Sequence, residues 1–196
     1  MKYLSIDIEA TGLAENCLII EFAMIPFDTK LKRLEEGLAR TMYIHCPSFE
    51  DLRDDLDPWV REHNEKIIRK AHAEGLMMSE FKETLQKYLE SKEVREYFEN
   101  QKIVLFGKSM TAIDLPFLNR DLGWDFMRKY FHHRNLDLSS VGYNLIDLKL
   151  LPMGMDSGSN LMNYLNMGEV AHTALEDARN TAIMYLKLLD KFGKQD

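Results

Sequence analysis

The chain's first predicted strand ends in two acids, and that ending narrows the folds open to it. Residues 2–8, Lys2-Tyr3-Leu4-Ser5-Ile6-Asp7-Ile8, alternate as a buried strand does, and Asp7-Ile8-Glu9 closes the run. A period of two along a strand puts both carboxylates on one face of the sheet. Ionised neighbours repel, so such a pair calls for a cation or a proton. Taken alone, the pattern fits two solvated acids at a strand end equally well.

The remaining pattern predicts a mixed sheet. Residues 17–27 and 33–45 read as two further strands, joined around Asp28-Thr29-Lys30. Asp57 is placed to cap a helix opened by Pro58, in which Val60, His63, Ile67 and Ala71 recur at helical spacing. A second helix covers 79–90, with Ser79 as cap and Phe81, Leu85 and Leu89 on one face. The apolar run 103–107 reads as a central strand, 114–122 as a helix that tolerates Pro116 in its first turn, and 136–138 as an edge strand. Residues 154–158 read as loop, and a long helix covers about 174–189. Three successive strands followed by alternating helices and strands give an α/β class, a mixed five-stranded sheet flanked by helices in one domain spanning 1–196.

Composition sets limits on function. With 45% hydrophobic and 29% charged residues the 196-residue chain is globular. Its apolar runs, such as Cys17-Leu18-Ile19-Ile20, fall far short of the roughly 20 residues of a membrane span. Asp7 arrives before a signal-peptide core could form, and Cys17 and Cys46 are too few for a disulfide framework, so the expected location is cytoplasmic. A net charge of −7 argues against a long grip on duplex nucleic acid, which needs a basic surface, but not against a short substrate.

Two later segments join the first pair of acids. Thr173-Ala174-Leu175-Glu176 matches a capping box, which puts Asp177 in the first turn of the last helix and leaves His172 just outside it. Leu175, Ala178, Ala182, Tyr185 and Leu189 form the expected buried stripe. A histidine beside a metal-binding carboxylate suits general-base work, since its pKa of about 6.5 lies near neutrality. The structural alternative has Asp177 complementing the helix dipole and His172 packing before the cap. Asp114, at the head of the 114–122 helix, has N-capping as its own alternative.

Together these segments resemble the DEDDh exonuclease family, whose fold is similar to ribonuclease H. Asp7-Ile8-Glu9-Ala10-Thr11-Gly12-Leu13 resembles the first motif, DxExTGL. Gly107-Lys108-Ser109 through Asp114-Leu115-Pro116-Phe117-Leu118 resembles the second, and His172 through Arg179 resembles the third, H-x-A-L-x-D-A-R. The resemblance implies that Asp7, Glu9, Asp114 and Asp177 bind two divalent cations, Mg²⁺ or Mn²⁺, as hard oxygen ligands suit. It also implies that His172 deprotonates the attacking water and that nucleoside monophosphates leave from the 3′ end. Ala10, Thr11, Gly12 and Leu13 would bind substrate: backbone groups around Ala10 and Thr11 would meet the terminal 3′ hydroxyl and Leu13 would wedge against the terminal base, whereas Phe117 packs its helix.

Within that family the chain is most similar to oligoribonucleases, through residues 131–137, Phe-His-His-Arg-Asn-Leu-Asp, and more loosely through Trp59, His63 and 71–76. This implies short single-stranded RNA as substrate and a homodimer. There are departures: the Gly107–Asp114 interval is one residue longer than usual, and Ser109 and Ile113 replace an Asn and a Phe. Two other readings follow, a DNA-directed proofreading or repair exonuclease and a catalytically silent nucleic-acid-binding module. Residues 128–134 interleave cations with aromatics, which suits either phosphate and base contacts or a solvated helix end. Lys66, Arg69 and Lys70 read as a solvated basic helix face. His132 and His133 are not expected to share a metal, because adjacent side chains diverge in regular structure.

Overall fold

The computed structural model describes residues 1–168 and 173–193. In chain order the elements are β1 (Lys2–Ala10), β2 (Ile19–Asp28), β3 (Arg33–Leu34), β4 (Arg40–Tyr43), α1 (Phe49–Leu52), α2 (Pro58–His63), α3 (Glu65–Glu74), α4 (Met78–Glu90) and α5 (Lys92–Tyr97). Then follow β5 (Leu105–Gly107), α6 (Asp114–Leu122), α7 (Trp124–Tyr130), β6 (Leu136–Asp137), α8 (Leu138–Asp147), α9 (Gly158–Tyr164) and α10 (Ala174–Phe192). The sheet runs β3-β2-β1-β5-β6, with β4 also paired to β2. β1 is antiparallel to β2 and parallel to β5, and β5 is parallel to β6. The α/β class and flanking helices are as expected, with six strands instead of five.

The extra strand comes from a break in residues 33–45. β3 pairs with Phe27 and Asp28, while β4 pairs with 21–24, so the chain between them skips a stretch of β2. Pro26 lies in that stretch and has no N–H to offer a neighbour, although its carbonyl accepts from the Glu35 amide at 2.8 Å. The edge strand lifts off there into a single 3₁₀ turn at Glu36–Leu38.

Strand alternation sorts β1 cleanly between two cores. Leu4, Ile6 and Ile8 pack with Phe22, Phe81 and Leu85 on one side. Tyr3 packs with Phe27, Phe106 and Ala182 on the other, the side covered by α10. A third cluster, Ile20, Cys46, Val60, Ile67 and Ile68, ties α2 and α3 to the sheet. Ala174, Ala178 and Ala182 are fully buried, and their small side chains let α10 approach the strands closely. The buried Ser5 hydroxyl donates to the Ala178 carbonyl at 2.7 Å and fixes the height of the helix over β1.

Several helix boundaries differ from expectation. The predicted 58–71 helix is two helices that meet at Asn64, whose backbone leaves the helical range at φ −101° and ψ 2°. The second predicted helix starts one residue earlier than expected and is entered from Met77, whose amide donates to Glu80, so Ser79 lies inside it. Asp57 caps α2 as predicted, accepting from the Trp59 amide at 2.8 Å. Among the described residues, no helix is long and apolar enough to cross a membrane.

Candidate active site

The sheet geometry carries Asp7 and Glu9 to the end of β1 on the face that α10 covers. Directly above them, α10 is held at its first turn by Thr173, whose hydroxyl donates to the Glu176 carboxylate at 2.8 Å and accepts from the Glu176 amide at 3.4 Å. The N-cap is therefore as predicted. Asp177, Asn180, Thr181 and Met184 then face a cleft of about 610 Å³, which Asp7, Glu9 and Asp114 also line.

Asp7, Glu9 and Asp177 each offer an oxygen, and these atoms lie within 4.8 Å of one another. Three convergent carboxylates at that spacing fit a hard divalent cation. Asp114 lines the same cleft outside this trio. It is the first residue of α6 and not its N-cap, since Ile113 holds that position. One of its oxygens accepts from the Ile8 amide at 3.0 Å, so the side chain ties α6 to β1 between the two acids of the strand.

Electrostatics mark the group as strained by charge. Burial, reinforced by the carboxylates of Asp114, Asp177 and Glu9, holds Asp7 well above the usual carboxylate range, and Lys108 pulls it back. Glu9 is pushed up to about 7, chiefly by burial, although the Asn64 amide opposes this. Burial also raises Asp114 to about 7, against its backbone hydrogen bonds, and Asp177 to about 6, against Lys108. Such a cluster is comfortable with bound cations or with protons, and uncomfortable fully ionised and empty-handed.

Of the predicted substrate residues, Ala10, Gly12 and Leu13 line the cleft. Thr11 serves the loop instead: its amide donates to the Leu18 carbonyl, and its hydroxyl accepts from the Leu18 amide, each at 2.9 Å. A Cβ at Gly12 would stand 2.8 Å from the Cys17 sulfur, so a side chain there would push the thiol aside. Leu13 is 77% exposed. The predicted base, His172, lies outside the described residues.

Three residues were missed from the sequence. Asn64, 2% exposed at the break between α2 and α3, donates to the Glu9 carboxylate at 3.1 Å and to the Ala10 carbonyl at 3.3 Å, while its own oxygen has no partner. Glu21, opposite Glu9 in the register, is buried and accepts from the Ala174 amide at 3.1 Å, fastening the start of α10. An isolated acid in an otherwise apolar strand was the available signal for it. Lys108 follows β5 directly and lines the cleft; no spacing rule singles it out.

The cation-aromatic stretch 128–134 does not reach this cleft. Arg128 stacks over Trp124 at 5.1 Å, and Lys129 and Tyr130 both bond to Glu90. His132 and His133 do not diverge: the chain leaves α7 there, and their rings stack 4.4 Å apart. Arg69 pairs with Glu50 and Glu65, in keeping with a solvated helix face. Trp59 and His63, one helical turn apart, stack with centroids 4.3 Å apart, and Trp59 lines the cleft beside Leu13.

No family model matches the chain. It is 31% identical over 178 residues to an oligoribonuclease of Legionella pneumophila, covering 90% of this chain and 84% of that protein. It is 30% identical over 139 residues to an oligoribonuclease of Pseudomonas aeruginosa, covering 69% and 71%. Among solved structures, the nuclease domain of 3′hExo, a DEDDh family member bound to rAMP, superposes with a TM-score of 0.65 at 14% identity, over 97% of this chain and 92% of that one. Cell-death related nuclease 4 superposes with a TM-score of 0.70 at 16% identity, over 97% and 64%. Escherichia coli exonuclease I bound to a dA16 oligonucleotide also gives 0.70, at 18% identity, over 96% and 41%.

Proposed function

Since this chain belongs to the oligoribonuclease family of DEDDh exonucleases, we propose that it removes nucleotides singly from the 3′ end of short single-stranded RNA, releasing nucleoside 5′-monophosphates. The observation that carries the reading is the convergence of Asp7, Glu9 and Asp177 within 4.8 Å, with Asp114 in the same cleft. These four side chains would hold two divalent cations, Mg²⁺ or Mn²⁺. When bound, such cations place positive charge against the attacking and leaving oxygens of an in-line displacement.

The chain's own residues supply the rest. His172, two residues before the first turn of α10 in sequence, takes a proton from the attacking water. The water oxygen bonds to phosphorus, the bond to the preceding nucleotide's 3′ oxygen breaks, that oxygen takes a proton from solvent, and His172 returns its proton to solvent. Asn64 and Glu21 hold Glu9 and the start of α10 in place. Backbone groups at Ala10 and Gly12 receive the terminal sugar; Thr11 braces them through Leu18. Leu13 and Trp59, both exposed at the cleft rim, sandwich the terminal base.

A chain of net charge −7 suits a substrate with few phosphates. The family reading extends to a homodimer, which light scattering would test, and to a cytoplasmic location, which cell fractionation would test. The deciding experiment compares Mn²⁺-dependent monophosphate release from matched RNA and DNA pentamers. Faster release from RNA is expected. Preference for DNA would replace the substrate assignment with a DNA-directed one, and full activity in a carefully purified Asp114→Asn variant would overturn the site itself.

A further inference from the structure

Four ionised carboxylates carry −4 and two divalent cations +4, so a loaded cluster of the proposed kind is neutral. Its cations act on the scissile phosphate, but it adds no net charge to hold the rest of the strand, and the protein around it is acidic overall. Lys108 is the one basic side chain among the described residues lining the cleft. β1 and β5 run parallel, with Leu4 beside Leu105 and Ser5 beside Phe106. Extending that register puts Lys108 next to Asp7, at the same end of the sheet.

The side chain is also given a place to lie. Gly158 opens α9 against it, and a Cβ at that position would stand 2.6 Å from the Lys108 ammonium nitrogen and 3.1 Å from its Cδ. Yet among the described residues the ammonium makes no ion pair within 4.0 Å, although it faces Asp7, Asp114 and Asp177 closely enough to favour their ionised forms. Its charge acts on these acids through space, so its three N–H donors are not spent on any of them. A gap between ammonium and carboxylates leaves room for a further anionic group.

We propose that Lys108, seated against Gly158, is a substrate-binding residue whose ammonium contacts a non-bridging oxygen of a phosphate in the 3′-terminal part of the RNA. Lysine serves phosphate as a compact point charge with rotatable donors, which suits a group that must follow the strand as it shortens. The inference rests on the exonuclease reading.

The test uses a 5′-fluorescent RNA pentamer and the inactive Asp7→Asn protein in Mn²⁺, with binding followed by anisotropy across a salt series. Adding Lys108→Met is expected to weaken binding roughly tenfold or more and to flatten the log–log salt dependence by about 0.7, the share of one phosphate contact on a single strand. In the otherwise native enzyme the same substitution should raise KM more than it lowers kcat. Gly158→Ala, which displaces the ammonium without removing it, should give a smaller loss of affinity. Equal affinity and equal salt slope with and without Lys108 overturn the inference, including when Lys108→Met alters only Mn²⁺ affinity or melting temperature. Monophosphate release from the same pentamer by the unmodified protein is measured alongside: its absence refutes the exonuclease reading, whereas its presence with an inert Lys108→Met refutes the phosphate contact alone.

Discussion

Two aspartates near the ends of strands that flank β5 in the same sheet meet opposite fates. Asp137 closes β6 at 8% exposure, and its carboxylate accepts from the amides of Ser109 at 3.0 Å and Ser139 at 2.9 Å, capping α8 and tying down the loop after β5. Asp7, on β1, is surrounded by the carboxylates of Glu9, Asp114 and Asp177 and has burial as the main influence on its charge. The first aspartate is satisfied by the fold; the second is left for something the fold does not itself contain. Burial alone therefore does not identify a functional acid, but burial without donors does.

The sharpest way to break this contrast is to neutralise each acid in turn. Asp7→Asn should lower monophosphate release at least about 10³-fold, as expected for a group acting as part of one catalytic unit. It should also raise the melting temperature in EDTA, because a repelled carboxylate gives way to a neutral amide. Asp137→Asn keeps one oxygen for the Ser109 and Ser139 amides, giving up only the longer Thr111 contacts, and should retain most activity. Similar losses from the two substitutions would erase the distinction.

A second prediction concerns pH. A carboxyl whose folded pKa is raised binds more protons in the folded chain than in the unfolded one between the two values, so folding weakens as pH rises through that window. The windows run from 3.8 to about 7 for Asp114, from 3.8 to about 6 for Asp177, and from 4.5 to about 7 for Glu9. The metal-free protein should therefore melt at a lower temperature at pH 8 than at pH 5. Mn²⁺ should restore stability at pH 8 and do little at pH 5, where protons already occupy the carboxyls. A melting profile indifferent to both pH and Mn²⁺ would mean that the four acids are solvated and unstrained.

Asp137→Ala probes the other half. Losing the acceptor of the Ser109, Thr111 and Ser139 amides should cost about 1–3 kcal/mol of stability by chemical denaturation, with the same loss in Mn²⁺ and in EDTA. A metal-dependent difference would tie Asp137 to the cleft and not to the loop.

The same contrast explains what could be read from the sequence. Asp7, Glu9 and Asp177 were legible because each sits where regular structure fixes its direction, at a strand end or in a capped first turn. Asn64 was hidden because an unbroken helical spacing across 60–71 concealed a junction that only tertiary contact with Glu9 and Ala10 makes useful. The break in 33–45 had a visible cause, Pro26, but it lies on the partner strand, and strand pairing is invisible to a reading made one segment at a time. The stacked rings of His132 and His133 escaped for a related reason, since the divergence rule holds for regular structure and these residues follow the end of α7.

The smallest effect worth measuring separates two exposed leucines as the first experiments separate two buried acids. Leu13 is 77% exposed at the rim of the cleft, and Leu31 is 58% exposed in the turn between β2 and β3. Neither contributes much to the folded core, so truncating either to alanine should leave the melting temperature nearly unchanged. If Leu13 covers the terminal base, Leu13→Ala forfeits about 1–2 kcal/mol of apolar contact and raises KM for an RNA pentamer roughly five- to thirty-fold. Leu31→Ala should leave KM where it was. Because Thr11 already spends its amide and hydroxyl on Leu18, the loop that presents Leu13 is braced from within and should keep its shape in the variant. A KM change would then report lost contact with the base and not a collapsed loop, while equal KM values for both variants would remove Leu13 from the substrate's path.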